Sequence, residues 1–339
     1  MGLLAKLFGQ KDEDEAADDR RLEAMVARVL ELNPRLRLAQ HHEARLKSAI
    51  HAALSHLDEL VASFPVAHPA TAEAWSTDPY IRAYFVSPDD IGHAIGRSTT
   101  LREFFDRSPG QDSAYAVLGM KMTERRTLGV ARDGDATRSD VPQTTLSFGD
   151  HRIRICGADE VSLREEIVRL MIEQIAIEGL ARITADNTRR DDLEQERALL
   201  ATRLRLLERQ GTGMRSMLGS DDGAGPGDLA RVRAQMKEND EELQRIGPRS
   251  EALNRQLDSM CEAFAEAEKL LHVTGEQRRI NRMNIVSPED AAEDCHTLDL
   301  RTARVPGDPP EERTIALLRV ARSDVPQQRN LLDEAERLL

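Results

Sequence analysis

From Leu229 the apolar residues recur at alternating steps of three and four, through Val232, Met236, Leu243, Ile246, Leu253, Leu257, Met260, Phe264 and Ala267 to Leu271. A seam of about six heptads must be buried against another helix. It is interrupted by Asn239 and Ser250. A polar residue at a core position, such as Asn239, is expected to set register or partner choice. Gly247-Pro248 also falls inside the seam, and because the heptad phase persists across the pair, a kinked but continuous helix is expected there despite a proline cost of about 3 kcal/mol.

A second helical pattern starts at Asp159. Leu163, Ile167, Leu170, Ile177 and Ala181 form an early stripe, and Leu193, Leu200, Leu204 and Leu207 a later one, with a phase slip across the polar stretch Asp186 to Asp192. Gly211 to Asp228 holds six glycines and Pro226 and cannot continue the helix. Helix, loop and helix with matching seams fold most simply as an antiparallel coiled-coil hairpin, assigned to residues 158–284 with a glycine-rich tip at 211–228.

On either side of this hairpin the periodicity changes. Ala114 to Met122, Thr127 to Arg132, Thr144 to Phe148 and Arg152 to Cys156 are rich in β-branched and aliphatic residues, and Gly149-Asp150 reads as a tight turn. Residues 113–157 are therefore expected to form an antiparallel β-meander, with Thr145, Arg152 and Arg154 toward solvent. Thr297 to Val305 and Arg313 to Val320 read as strands completing the sheet within 285–339, followed by a terminal helix from Asn330 to Leu339.

Residues 12–112 read as a helical cluster. One helix covers Arg21 to Leu32, and Asn33-Pro34 starts another that runs to about Phe64, with Leu46, Ile50, Ala53, Leu57, Leu60 and Phe64 as its apolar stripe. Asp78-Pro79 and the capping box Ser87-Pro88-Asp89-Asp90 mark further helix starts. The expected fold class is α+β and predominantly helical: a long antiparallel coiled-coil hairpin inserted in a small antiparallel β-sheet domain, with an N-terminal helical cluster.

The chain also repeats itself. Arg138-Ser139-Asp140-Val141-Pro142-Gln143 recurs letter for letter as Arg322-Ser323-Asp324-Val325-Pro326-Gln327, and Val86-Ser-Pro-Asp-Asp90 is echoed by Val286-Ser-Pro-Glu-Asp290. The two hexapeptides read as related strand-turn units sharing one sheet. Arg138 and Arg322 are candidates to hold an anion or a partner carboxylate. The structural alternative is that Ser139, Asp140, Ser323 and Asp324 close turns.

Composition narrows the chemistry. The 339 residues are 40% hydrophobic and 3% aromatic, which points to an aliphatic core and away from a base-stacking surface. A net charge of -13 repels nucleic acid and anionic lipid at long range. Three widely spaced cysteines, Cys156, Cys261 and Cys295, fit a reducing, cytoplasmic setting without a disulfide framework. Residues 1–11 place Leu3, Leu4, Leu7 and Phe8 on one side of a short amphipathic helix, a candidate contact with a membrane surface peripheral to the inner membrane. The acidic run that follows weakens that contact.

Catalytic and cofactor motifs are not found. His51 and His56 on the second helix are five apart, whereas two ligands on one helical face need a spacing of three or four. The glycine loop follows no strand and has no Gly-Lys-Ser or Gly-Lys-Thr. No cofactor or metal is expected. The sequence reads as a non-enzymatic coiled-coil interaction or scaffold protein that binds another protein or a second copy of itself. The alternatives are a peripheral membrane scaffold and an enzyme with a pocket around Arg138, Asp140, Arg322 and Asp324. A short amphipathic start ahead of a long helical hairpin is similar in outline to the phage-shock and ESCRT-III type membrane-remodelling proteins; the strands depart from that outline, and no family is assigned.

Overall fold

The computed structural model describes residues 3–133, 136–213, 226–287, 295–305 and 310–326, with side chains described from residue 16 onward except 130–139, 210–213, 226 and 305. The fold is α+β and predominantly helical. The chain divides into one unit of Met1–Ala53 and Ile172–Ala267 and another of Leu54–Met171 and Glu268–Leu339.

In the first unit, α1 spans Leu3–Leu32 without a break. The expected separation at the acidic run does not occur, because Asp12 to Asp19 contains no helix breaker and Glu and Ala propagate a helix well. Leu3, Leu4, Leu7 and Phe8 lie on this helix, though their side chains are outside the described residues. The helix expected from Pro34 to Phe64 is divided. Pro34–Leu38 is a 3-10 turn, Asn33 makes no side-chain cap, and His41 adopts a left-handed φ of 54° before α2 begins at His42–Ala62. Within this unit α2 buries Leu46, Ile50 and Ala53.

The long helix α7 spans Glu160–Gly213. From Ile172 onward its buried line is Ile172, Ile175, Ala176, Gly179, Ile183, Leu193 and Leu200, which keeps one phase throughout. The expected phase slip is therefore absent. Ile177 and Ala181, assigned to the buried stripe from sequence, lie on the opposite, exposed face. Helix α8 (Pro226–Ile246) returns beside α7, as Arg189 pairs with Glu242 at 2.5 Å, Arg197 with Asp240 at 2.8 Å and Glu208 with Arg233 at 3.1 Å. Rising numbers on one helix meet falling numbers on the other, so the two are antiparallel.

The seam does not continue as one kinked helix. Gly247 takes φ 86° and its amide bonds the carbonyls of Leu243 and Gln244, each at 3.1 Å, which is a left-handed helix cap. Pro248 is extended, Arg249–Glu251 forms a 3-10 turn, and α9 starts at Ala252–Ala265. Glycine enters the left-handed region without a Cβ penalty and proline cannot supply the missing helical donor, so local chemistry overrides heptad phase. Leu271 falls just beyond the last turn, α10 (Ala267–Leu270), and is off the helix. Gly179 sets the approach of α9 to α7: a Cβ there would lie 2.9 Å from Met260 Sδ and 3.3 Å from Ala263 Cβ.

The second unit is built on one sheet of six described strands: β1 (His68–Pro69), β2 (Ser113–Asp133), β3 (Ala136–Gly157), β4 (Val273–Asn281), β5 (Cys295–Val305) and β6 (Glu311–Ala321). The order is β3-β2-β6-β5-β4, antiparallel, with β1 parallel to β6 at Leu318 and Arg319, beyond the stretch where β5 pairs. Strand β4 falls where the returning hairpin arm was expected; it pairs along its length with β5.

The expected four-strand meander is instead one long hairpin. Beyond Met120, β2 is paired only to β3, and every residue of β2 from Glu124 to Leu128 is exposed, so polar residues there do not mark strand ends. The turn expected at Gly149-Asp150 does not form: Gly149 pairs with Lys121, and Asp150 and His151 bulge opposite Met120 with Asp150 at φ 51°. Asp tolerates this conformation better than most residues.

Helices α3 (Ala72–Thr77), α4 (Pro79–Tyr84), α5 (Pro88–Arg97) and α6 (Thr99–Arg107) contribute Ile81, Tyr84, Phe85, Ile95, Leu101 and Phe105 to a core completed by Leu118, Met120, Phe148, Leu300 and Leu318. The Ser87–Asp90 capping box forms as the sequence predicts. Asp78 caps α4 through the amides of Tyr80 (2.8 Å) and Ile81 (3.3 Å). The terminal helix expected at 330–339, the tip at 214–225 and the start at 288–290 lie outside the described residues.

Candidate interaction surface

Along the seam, Val232, Asn239, Leu257, Met260 and Phe264 are buried, whereas Leu229, Met236, Leu243, Ile246, Leu253 and Leu271 are half-buried. Asn239 is the polar member of the buried set. Its Nδ2 donates to the Leu193 carbonyl at 3.0 Å and to Glu196 Oε2 at 3.3 Å, while Oδ1 is buried with no partner. Only one placement of α8 along α7 lets that amide reach the Leu193 carbonyl. Asn239→Leu is expected to raise the stability of this helix pair by about 1 kcal/mol, since it removes a half-satisfied polar group, and to relax the register. Slower hydrogen exchange at α8 amides would show the gain; a loss above about 1 kcal/mol would mean that the hydrogen bond itself holds the pair.

The structure does not bring the two hexapeptides together. In the first copy Ser139 and Asp140 bulge opposite Val130, with Asp140 exposed at φ 64°; the Arg138 and Ser139 side chains are outside the described residues. In the second, Arg322–Asp324 is a 3-10 turn after β6. The same letters fold differently because the first copy is paired along β2, whereas the second leaves the sheet. Val130 and Ser113 are separated along β2 by roughly 55 Å at about 3.3 Å per residue, so no pocket forms around Arg138, Asp140, Arg322 and Asp324.

The Arg322 guanidinium is already occupied. It donates to the carbonyls of Gln111 (2.8 Å), Ser108 (2.6 Å) and Phe105 (3.1 Å) and lies 4.7 Å from the centre of the Phe105 ring. Ser323 Oγ and Asp324 Oδ1 are 3.3 Å apart on the exposed turn. Arg313, which sequence reasoning missed, acts in a similar way. It donates to Asp150 Oδ2 (2.7 Å), the Asp150 carbonyl (3.1 Å) and Glu311 Oε2 (2.7 Å), bridging the bulge of β3 to β6. The bond from Arg313 holds the carboxyls of Asp150 and Glu311 below their ordinary range.

Other polar groups are likewise engaged. His68 Nδ1 meets Asp78 Oδ2 at 2.7 Å and its ring stacks on Tyr80 at 4.3 Å. Burial would raise the Asp78 carboxyl, but the bonds from His68 and the α4 amides leave it below its ordinary value. A cleft of about 830 Å³ lies at the Gly247–Pro248 break, lined by Arg190, Arg249 and Arg255 among others. Much of its charge is spoken for: Arg190 reaches the Gly247 carbonyl at 2.6 Å, Arg255 the Pro248 carbonyl at 2.8 Å, and Arg249 pairs with Glu194. Burial pushes the Cys156 thiol up to about 12 and raises Cys261 as well, which keeps both protonated at neutral pH.

What remains is a surface. Leu199 is 72% exposed, Leu206 55% and Ile177 49%, and all three lie on α7 opposite its buried line. A shallow apolar groove follows this face past Leu180, Ala181, Thr184, Ala185 and Thr188. The spacing of Leu199 and Leu206 carries the signal in the sequence, whereas helical periodicity alone puts Ile177 and Ala181 on the buried face. Among the described residues no helix is long and apolar enough to cross a membrane. Comparison with protein-family models, curated proteins and solved structures found no match to this chain.

Proposed function

We propose that this protein is a non-enzymatic interaction or scaffold protein that presents α7 and α8 as a coiled-coil hairpin for protein–protein contact. The observation that carries the reading is the exposed apolar line on α7. A rigid pair of helices that satisfies one seam internally and leaves large apolar side chains aligned on its outer face has the character of a docking surface. The ion pairs Arg197–Asp240 and Glu208–Arg233 support it, because they fix the hairpin without using that face.

The test is site-specific photo-cross-linking in cells that make the protein. A photoreactive residue at Leu199 or Leu206 is expected to give discrete adducts, and one at Leu128, which is 70% exposed on the β2–β3 ribbon, is expected to give none of the same mass. No adduct from α7, or the same pattern from all three positions, would remove the reading.

A further inference from the structure

The pattern of charge along the exposed face of α7 identifies what covers it. At ~100° per residue, Ile177, Ala181, Thr184, Thr188, Gln195, Leu199, Thr202 and Leu206 fall within about 40° of one line down the helix. The borders of that line change sign along its length. Asp192 and Glu196 precede Leu199, and Arg203 and Arg205 follow it. Asp192, Arg203 and Arg205 have no hydrogen bond or ion pair among the described residues. Glu196 only accepts the bond from Asn239.

We propose that this face is the contact for a second copy of the chain, laid antiparallel so that the acidic stretch of each α7 borders the basic stretch of the other. The proposal rests on the interaction reading above and names its partner. A two-fold axis near Leu199–Thr202 makes the patch self-complementary, as an isologous contact requires. Leu199 then packs beside the partner's Thr202, and Leu206 beside the partner's Gln195. Glu196 of each copy borders the partner's Arg203.

The parallel arrangement is disfavoured by the same residues. It would bring opposite flanks together at the same height, setting Glu196 near the partner's Glu194 and Arg203 near the partner's Arg205, like charges at close range. An unrelated helix would have to reproduce this acidic-then-basic order in reverse, which a second copy supplies by symmetry. The net charge of -13 on each copy opposes association. That repulsion is screened over about 8 Å at physiological salt, whereas the bordering pairs act at contact distance.

Sedimentation velocity of the full chain tests this. The chain is expected to form a dimer reversibly at or below about 100 µM, and Leu199→Glu with Leu206→Glu is expected to leave it monomeric with unchanged helix content by circular dichroism. Glu196→Arg and Arg203→Glu should each weaken association by about tenfold. The double exchange E196R/R203E should restore it, because the pairs re-form with reversed sign only in the antiparallel arrangement. A monomer throughout the concentration range, a dimer indifferent to the Leu199 and Leu206 changes, or a double exchange no better than the single ones would overturn the proposal. If the chain is monomeric and Leu199 still cross-links to a different protein, the self-association fails and the interaction reading stands; if neither is seen, both fail.

Discussion

Phe264→Ala is expected to destabilise the helical unit by about 3–5 kcal/mol. Phe264 is 1% exposed on α9, one turn from Met260 and Ala267, which are 0% and 3% exposed. Truncating it removes a large apolar side chain from water-free packing and leaves a cavity. The walls of that cavity cannot collapse freely, because α9 already approaches Gly179 so closely that even a Cβ there would meet Met260 Sδ at 2.9 Å. Domains have roughly 5–15 kcal/mol in total, so the loss is a large fraction of what holds the unit folded. Hydrogen exchange at the α9 amides reads this unit separately from the sheet, where a single melting temperature would mix the two. Phe264→Leu should recover more than half of the loss. A change below about 1 kcal/mol for the alanine variant would show that the site repacks and that α9 is not fixed by this residue.

Arg322→Ala is the second large effect, at about 3 kcal/mol in the sheet-bearing unit. Its guanidinium joins the carbonyls of Phe105, Ser108 and Gln111 to the end of β6, and the Phe105 ring lies beneath it. Alanine would take this donor from three carbonyls, of which, among the described residues, Ser108 alone keeps another, the Gln111 amide at 3.1 Å, and remove a cation from an aromatic face. Arg322→Lys keeps the charge, but a single ammonium cannot span the three acceptors that a planar fork reaches, so it should recover less than half. Denaturant unfolding followed by exchange at β6 amides measures both. Unchanged stability in Arg322→Ala would refute the pinning role and reopen the anion-holding reading of the hexapeptide.

These two residues differ in how far the sequence revealed them. Phe264 was legible, since it falls in a regular seam whose spacing specifies a buried face. Arg322 was found through an exact repeat, but the repeat suggested one role for two sites. Six identical letters took a bulged strand in one place and a 3-10 turn in the other, because the first lies opposite a partner strand and the second does not. Arg313 gave no signal at all: a lone cation in a strand pattern looks solvated until the bulge at Asp150 is placed beside it.

In the helical region periodicity and burial part for a physical reason. Ile177 and Ala181 fit a helical stripe, and so do Ile175 and Gly179 two residues earlier; periodicity defines that faces exist, and only the neighbouring helix decides which is buried. Gly247-Pro248 shows the reverse case, where a strong local signal prevails over the longer-range heptad phase. A left-handed glycine cap followed by a residue that cannot donate ends a helix whatever the phase beyond it.

By itself the sequence determined the elements with strong local periodicity or capping chemistry: the seam-bearing helices, the Ser87–Asp90 start, strands β5 and β6, and an α+β chain dominated by helix. These are set by interactions within a few residues along the chain. The tertiary structure alone decided the long β2–β3 ribbon, the placement of β4 in the sheet, the engagement of Arg313 and Arg322, and the face of α7 left exposed. Each of those depends on which distant segment arrives alongside, and spacing along one segment carries no record of that.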